Sequence, residues 1–154
     1  MSTAYFALCR RIIMADVLLV DDDGSLLLTL AIALRRQGHI VTVACDAEQA
    51  IAQLKRRSFT FLISDVRMPG MSGTELALQA RRLAPTLRVI LTSALPNIPF
   101  REGAIEAFLQ KPIEPESLNK LLLTERRHPV VDDSSAPPQQ AARLSDRLQP
   151  ASAS

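Results

Sequence analysis

The sequence has no tryptophan, one tyrosine and only two cysteines in 154 residues. Without aromatics interleaved among basic residues there is no platform on which single-stranded nucleic acid could stack. The formal charge of +2 is small for a phosphate-backbone footprint, and between residues 14 and 125 basic and acidic side chains nearly balance, 12 against 13. Direct nucleic-acid binding is therefore not expected. Cys9 and Cys45 show neither metal-ligand nor disulfide-framework spacing, which fits free thiols in a reducing compartment. No apolar run reaches the ~18 residues that a transmembrane helix needs. In MSTAYFALCRRIIM, Arg10 and Arg11 follow the apolar portion, whereas a secretory signal carries its charge first. The expectation is a cytoplasmic protein with no membrane partner, in which residues 1–14 form a disordered extension ahead of the first strand.

What is present is a regular exchange of two hydrophobic periods. Asp16-Val17-Leu18-Leu19-Val20 reads as a buried strand that stops in three acids, Asp21, Asp22 and Asp23. Leu27, Leu30, Ala31 and Leu34 then share a helical face that ends at Gly38. Ile40 to Ala44 is β-branched and strand-like, and Asp46 can cap a helix over Ala47 to Lys55 with Ala50, Ile51 and Leu54 as its stripe. A strand over Thr60 to Ser64 runs into Asp65, turns at Pro69 and Gly70, and re-enters a helix from Thr74 to Leu83. Leu87 to Thr92 and Ala107 to Gln110 are further strands, and a last helix covers Pro115 to Leu123. Five strands alternating with helices imply an α/β doubly wound parallel sheet. His39 at a turn and His128 at the start of a polar tail are expected to be solvated. Residues 126–154, rich in Pro, Ser, Gln and Asp, read as a disordered tail behind a domain spanning 15–125.

The polar residues that break this pattern all follow strands. Asp21 and Asp22 follow the first, Asp65 the third, Thr92 and Ser93 the fourth, and Lys111 the fifth. In a parallel sheet these ends share one edge, where ligands bind. Carboxylates gathered there repel one another unless a cation joins them, and oxygen donors of this kind suit Mg²⁺. A lysine at the same point would meet phosphoryl oxygens as a compact charge, with a hydroxyl to hydrogen-bond them. A cis Pro112 after Lys111 would aim the ammonium back toward that edge.

VLLVDDD, LISDVRMPGMSG with Asp65 lying 43 residues after Asp22, ILTSA and AFLQKPI occur in this order. Together they resemble the receiver domain of two-component response regulators over residues 15 to 124. The resemblance implies a CheY-like, flavodoxin-like five-stranded sheet of order 2-1-3-4-5, here as a stand-alone domain. It implies that Asp65 accepts a phosphoryl group from a sensor histidine kinase or a histidine phosphotransfer protein, and that output runs through an unnamed protein target. Asp21, Asp22, Asp65 and the backbone carbonyl of Arg67 would hold Mg²⁺, and Lys111 would bind the phosphoryl oxygens. Ser93 would be the switch hydroxyl, and Phe108 the switch aromatic. Such a domain is a phosphoacceptor that can lose its phosphate by autodephosphorylation, and not a conventional enzyme. The 18 residues from Ser93 to Lys111 fall a few short of the family pattern. With Pro96 and Pro99 in that stretch, the fourth helix is expected to be short or degenerate.

Two other functions are open to the same residues. Asp21-Asp22-Asp23-Gly24-Ser25-Leu26 also resembles the nucleophile loop of haloacid-dehalogenase-type phosphatases, with Asp21 as nucleophile and Asp23 as acid/base, although no acidic pair of the required kind follows on the last helix. A receiver-like binding module that never carries phosphate is the other.

Overall fold

The computed structural model describes residues 14–96, 103 and 105–124. The expectations for the N-terminal extension, for the helix between the fourth and fifth strands and for the tail concern residues that, apart from Met14, Ala94 to Pro96 and Gly103, lie outside that set.

Strand β1 (Asp16–Val20) stops where the three acids begin, and Asp23 caps helix α1 (Gly24–Arg36) by accepting the Ser25 and Leu26 N–H groups. The buried face of α1 is Leu27, Leu30, Ala31 and Leu34, the stripe that the 3.6-residue period picks out. Past its end Gly38 takes φ 95°, a left-handed turn that a residue with a Cβ resists, and β2 (Ile40–Ala44) follows. Helix α2 (Ala47–Arg56) starts at Asp46, whose Oδ1 accepts the Gln49 N–H at 2.7 Å. Strand β3 (Phe61–Asp65) and strand β4 (Arg88–Ser93) are buried along their whole length, and helix α3 (Gly73–Leu83) lies between them in sequence. Strand β5 (Ala107–Gln110) and helix α4 (Pro115–Leu122) complete the described elements, with a proline in the first turn of α4, where its missing N–H costs nothing.

All neighbouring strands pair in parallel, in the order β2-β1-β3-β4-β5. Residues of α2 and α3 cover one face with Leu18, Val20, Leu62, Val89 and Leu91, while α1 and α4 cover the other with Val17, Leu19, Phe61, Ile63 and Ile90. Alternate residues of one strand thus enter different cores, which is why β1, β3 and β4 read as unbroken apolar runs.

Two strands lie one residue later than the sequence period suggests. β3 extends to Asp65 and β4 to Ser93, because the β3–β4 ladder runs on to pair Asp65 with Thr92, and the Val66 N–H donates to the Thr92 carbonyl at 2.8 Å. His39 is a correction. It is buried, its Nδ1 accepts the Ala15 N–H at 3.2 Å, and its Nε2 lies 2.7 Å from Asn119 Oδ1 on α4. The Ala15 contact makes Nδ1 the acceptor and leaves the proton on Nε2, facing Asn119. Both partners are remote in sequence, so the local turn pattern around Gly38 gave no sign of them.

The edge of the sheet where the strands begin is tied together by two arginines. Arg57 bridges Asp16 and Thr42 and stacks on Phe59. Arg88 lies over the Phe61 ring, pairs with both Glu106 carboxylate oxygens and donates to the Thr124 carbonyl at 2.7 Å. It thereby fastens the start of β5 and the exit of α4 to β4.

Candidate functional site

At the opposite edge, the chain delivers four charged side chains from three strand ends. Asp21 is the first residue after β1 and is buried; its Oδ1 accepts the Asp23 N–H at 2.9 Å. Asp65 is the last residue of β3 and is 6% exposed, while Asp22 beside them is open to solvent. One carboxylate oxygen from each of Asp21, Asp22 and Asp65 falls within 4.8 Å of the others. Lys111 follows β5, and the Lys111–Pro112 peptide is cis. Its Nζ stands 2.9 Å from Asp21 Oδ2 and 3.2 Å from Asp65 Oδ1. Its backbone N–H donates to the Ser93 carbonyl at 2.8 Å, carrying the β4–β5 ladder one step past Gln110 and setting Lys111 beside the end of β4.

Ser93 is buried one residue beyond Thr92, the register partner of Asp65, and its hydroxyl accepts the Leu95 N–H at 3.1 Å. Arg67, exposed, lies in the loop that follows Asp65. Phe108 is not brought to the carboxylates. It pairs with Leu91 and packs, half-buried, against the core under α2 and α3. Asp23 caps α1 through its Oδ1, and a dehalogenase-type reading assigns no role to the Asp65 that shares Lys111 with Asp21.

Two residues that sequence reasoning missed hold Asp65 from behind. Ser64 Oγ donates to the Asp65 carbonyl at 3.0 Å. Gly73 presses on the same peptide: a Cβ there would lie 2.9 Å from the Asp65 carbonyl carbon, 3.0 Å from Ser64 Oγ and nearer still to the Asp65 carbonyl oxygen. Its N–H donates to the Val66 carbonyl at 2.9 Å. As a sequence letter Gly73 looked like a turn residue. The available signal was Ser72-Gly73-Thr74-Glu75, a capping box that starts α3 at Gly73, and both of its reciprocal bonds are present.

Burial is the main influence on Asp65 and raises its pKa above 3.8. The charge and hydrogen bond of Lys111 oppose this, and Asp21 and Asp22 reinforce it. For Lys111, burial is again the largest influence and favours the neutral amine. The hydrogen bond and charge of Asp21, then those of Asp65, outweigh it and carry the ammonium above 10.5. One lysine thus serves two buried acids, with a third acid exposed beside them. The site has an excess of negative charge and a set of hard oxygen donors, which a small divalent cation would satisfy.

A five-stranded parallel sheet of order 2-1-3-4-5, with acids after its first and third strands and an ammonium after its fifth, is the architecture of a receiver domain. The family model described as response regulator receiver domain matches residues 17–123, and the chain belongs to that family, a module of phosphorylation-dependent signalling in two-component systems. It is 38% identical over 113 residues to the response regulator protein FleR of Pseudomonas aeruginosa, a match covering 70% of this chain. That match spans 24% of FleR, and the transcriptional regulators similar to this chain are in general several times the length of the matched part. Among solved structures, a CheY-like receiver domain protein from Methanospirillum hungatei superposes with a TM-score of 0.67 at 27% identity, covering 71% of this chain and 90% of that one. A response regulator from Burkholderia pseudomallei, solved with a phosphorylated aspartic acid, a calcium ion and citrate, gives 0.65 at 26% identity, covering 71% and 67%.

Proposed function

We propose that Asp65 is the phosphoacceptor of this receiver domain. The observation that carries the reading is the ammonium of Lys111 shared between Asp21 and Asp65, at 2.9 and 3.2 Å, beside the exposed Asp22. A carboxylate oxygen of Asp65 attacks phosphorus in line. The P–N bond of a phosphohistidine breaks, its electron pair leaves with the imidazole, and an acyl phosphate remains on Asp65. Lys111 is already charged and aimed, so it can neutralise the phosphoryl oxygens without reorganising. Asp21, Asp22, Asp65 and the Arg67 carbonyl would hold Mg²⁺, which when bound supplies charge neutralisation at the transferring group. The Burkholderia pseudomallei relative, with its phosphorylated aspartate and divalent ion, supports the same chemistry here. Ser93 would exchange its bond to Leu95 for one to the phosphate and so remodel the end of β4, with Phe108 reporting the change on the neighbouring strand.

In this reading the functional domain is residues 15–125, flanked by 1–14 and 126–154. The phosphodonor is a cytoplasmic histidine kinase or phosphotransfer protein, and the output is a protein contact. The test is intact-mass analysis after incubation with acetyl phosphate and Mg²⁺. Wild type is expected to gain one phosphoryl group, Asp65→Asn none, and wild type in a chelator far less. Undiminished labelling of Asp65→Asn, with loss in Asp21→Asn, would transfer the nucleophile to Asp21. No labelling of wild type by any phosphohistidine donor would leave a binding module that does not use phosphate.

A further inference from the structure

Among the described residues most basic side chains stand at the edge of the sheet where the strands begin, Lys111 and Arg67 being at the other. Each helix runs back against the parallel strands and ends at the edge where the strands begin. There α1 closes on Arg35 and Arg36, α2 on Lys55 and Arg56, and α3 on Arg81 and Arg82, with Lys120 in the last turn of α4. Among the described residues the acids at this edge, Asp16 and Glu106, are engaged by Arg57 and Arg88. The other edge is the acidic rim of the phosphorylation site, to which Asp46 and Glu75 add at helix starts. Basic last turns complement the helix dipoles and on that account need no partner.

A further observation asks for one. Met14, Ile40, Leu83 and Leu123 are 41 to 56% exposed, and all stand at the basic edge: ahead of β1, at the start of β2, at the end of α3 and just past α4.

We propose that this edge docks on an anionic lipid bilayer, adsorbing to its surface. Cations interspersed with large apolar side chains are the requirement for interfacial binding to acidic lipid. A nucleic-acid backbone would use the cations and leave the apolar residues idle. The acidic rim at the opposite pole is repelled by the same lipid field, so both poles favour one orientation, with Asp65 turned outward and open to its phosphodonor. Adsorption needs no spanning segment, and among the described residues no helix is long and apolar enough to cross a membrane.

The test is sedimentation of the full chain with vesicles of phosphatidylcholine alone or mixed with phosphatidylglycerol. Binding is expected at least roughly tenfold stronger to the anionic vesicles and to fade as salt shortens the Debye length. Replacing the exposed Arg36, Arg56, Arg82 and Lys120 by Gln should weaken it more than roughly a hundredfold, and Arg36→Gln with Arg82→Gln alone roughly thirtyfold. Leu83→Ser should weaken it at constant charge. Asp65 labelling should stay as in wild type throughout, and melting should fall only by the few degrees that loss of the helix-dipole complement costs. Equal binding to neutral vesicles, full binding by the fourfold variant, binding that resides wholly in residues 1–13, or tighter binding to duplex DNA than to anionic vesicles at the same salt would each overturn the proposal.

Discussion

Replacing Gly73 by alanine sets two effects of opposite sign against each other. On helix propensity alone alanine is the better residue by up to about 1 kcal/mol. The new Cβ, however, would stand 2.9 Å from the Asp65 carbonyl carbon and 3.0 Å from Ser64 Oγ, both backed by the buried β3 strand. The Asp65 carbonyl oxygen would be nearer still, and a carbon rests no closer than about 3.3 Å to such an oxygen, so strand and helix must separate by more than about 1 Å. Overpacking of this kind costs about 1–3 kcal/mol and exceeds the propensity gain. The displacement falls on Asp65, the proposed phosphoacceptor, 3.2 Å from Lys111, and a misplacement near 1 Å costs on the order of a hundredfold in rate. Urea unfolding should therefore show a loss of about 1–2 kcal/mol, and acetyl phosphate labelling with Mg²⁺ should slow ~100-fold. A Gly73→Ala protein at least as stable as wild type and labelled at the wild-type rate would refute the close packing of α3 on the Asp65 peptide.

Burial holds the Asp65 carboxyl above 3.8, so in the metal-free protein its contribution to stability is full below that pH and is lost as pH rises through the elevated folded value. In a chelator, Asp65→Asn should consequently melt higher than wild type at pH 7, with the difference vanishing near the ordinary carboxylate range. Added Mg²⁺ should raise the melting temperature of wild type and do so much less for the variant. Equal melting of the two proteins at pH 7 in chelator would contradict the charge excess. His39→Ala would leave the Ala15 N–H and the Asn119 side chain without their buried partner and should cost about 1–3 kcal/mol in urea unfolding. A cost below about 0.5 kcal/mol, the range of ordinary surface substitutions, would show that the imidazole is not load-sharing between β1 and α4.

The strands and helices were legible because their periods are strong and their ends are punctuated. The stripe on α1, the Asp46 cap of α2 and the bounds of β1, β2 and β5 stand where the sequence puts them. The errors share one cause. β3 and β4 each reach one residue further because a ladder hydrogen bond to the neighbouring strand extends them, and no single strand carries that information. His39 misled for the same reason, since both of its partners arrive from other elements.

By itself the sequence determined which residues could carry the chemistry, because acids and a lysine that interrupt apolar strands have few roles other than at a sheet's ligand-binding edge. It also determined the alternation that forces a parallel sheet. Only the tertiary structure decided that one ammonium serves both Asp21 and Asp65, that Gly73 must lack a side chain for the Asp65 peptide to sit where it does, and that the basic helix ends share one edge with exposed apolar residues. These are distances between elements far apart along the chain, fixed by how the helices pack on the sheet, and local sequence periods do not encode them.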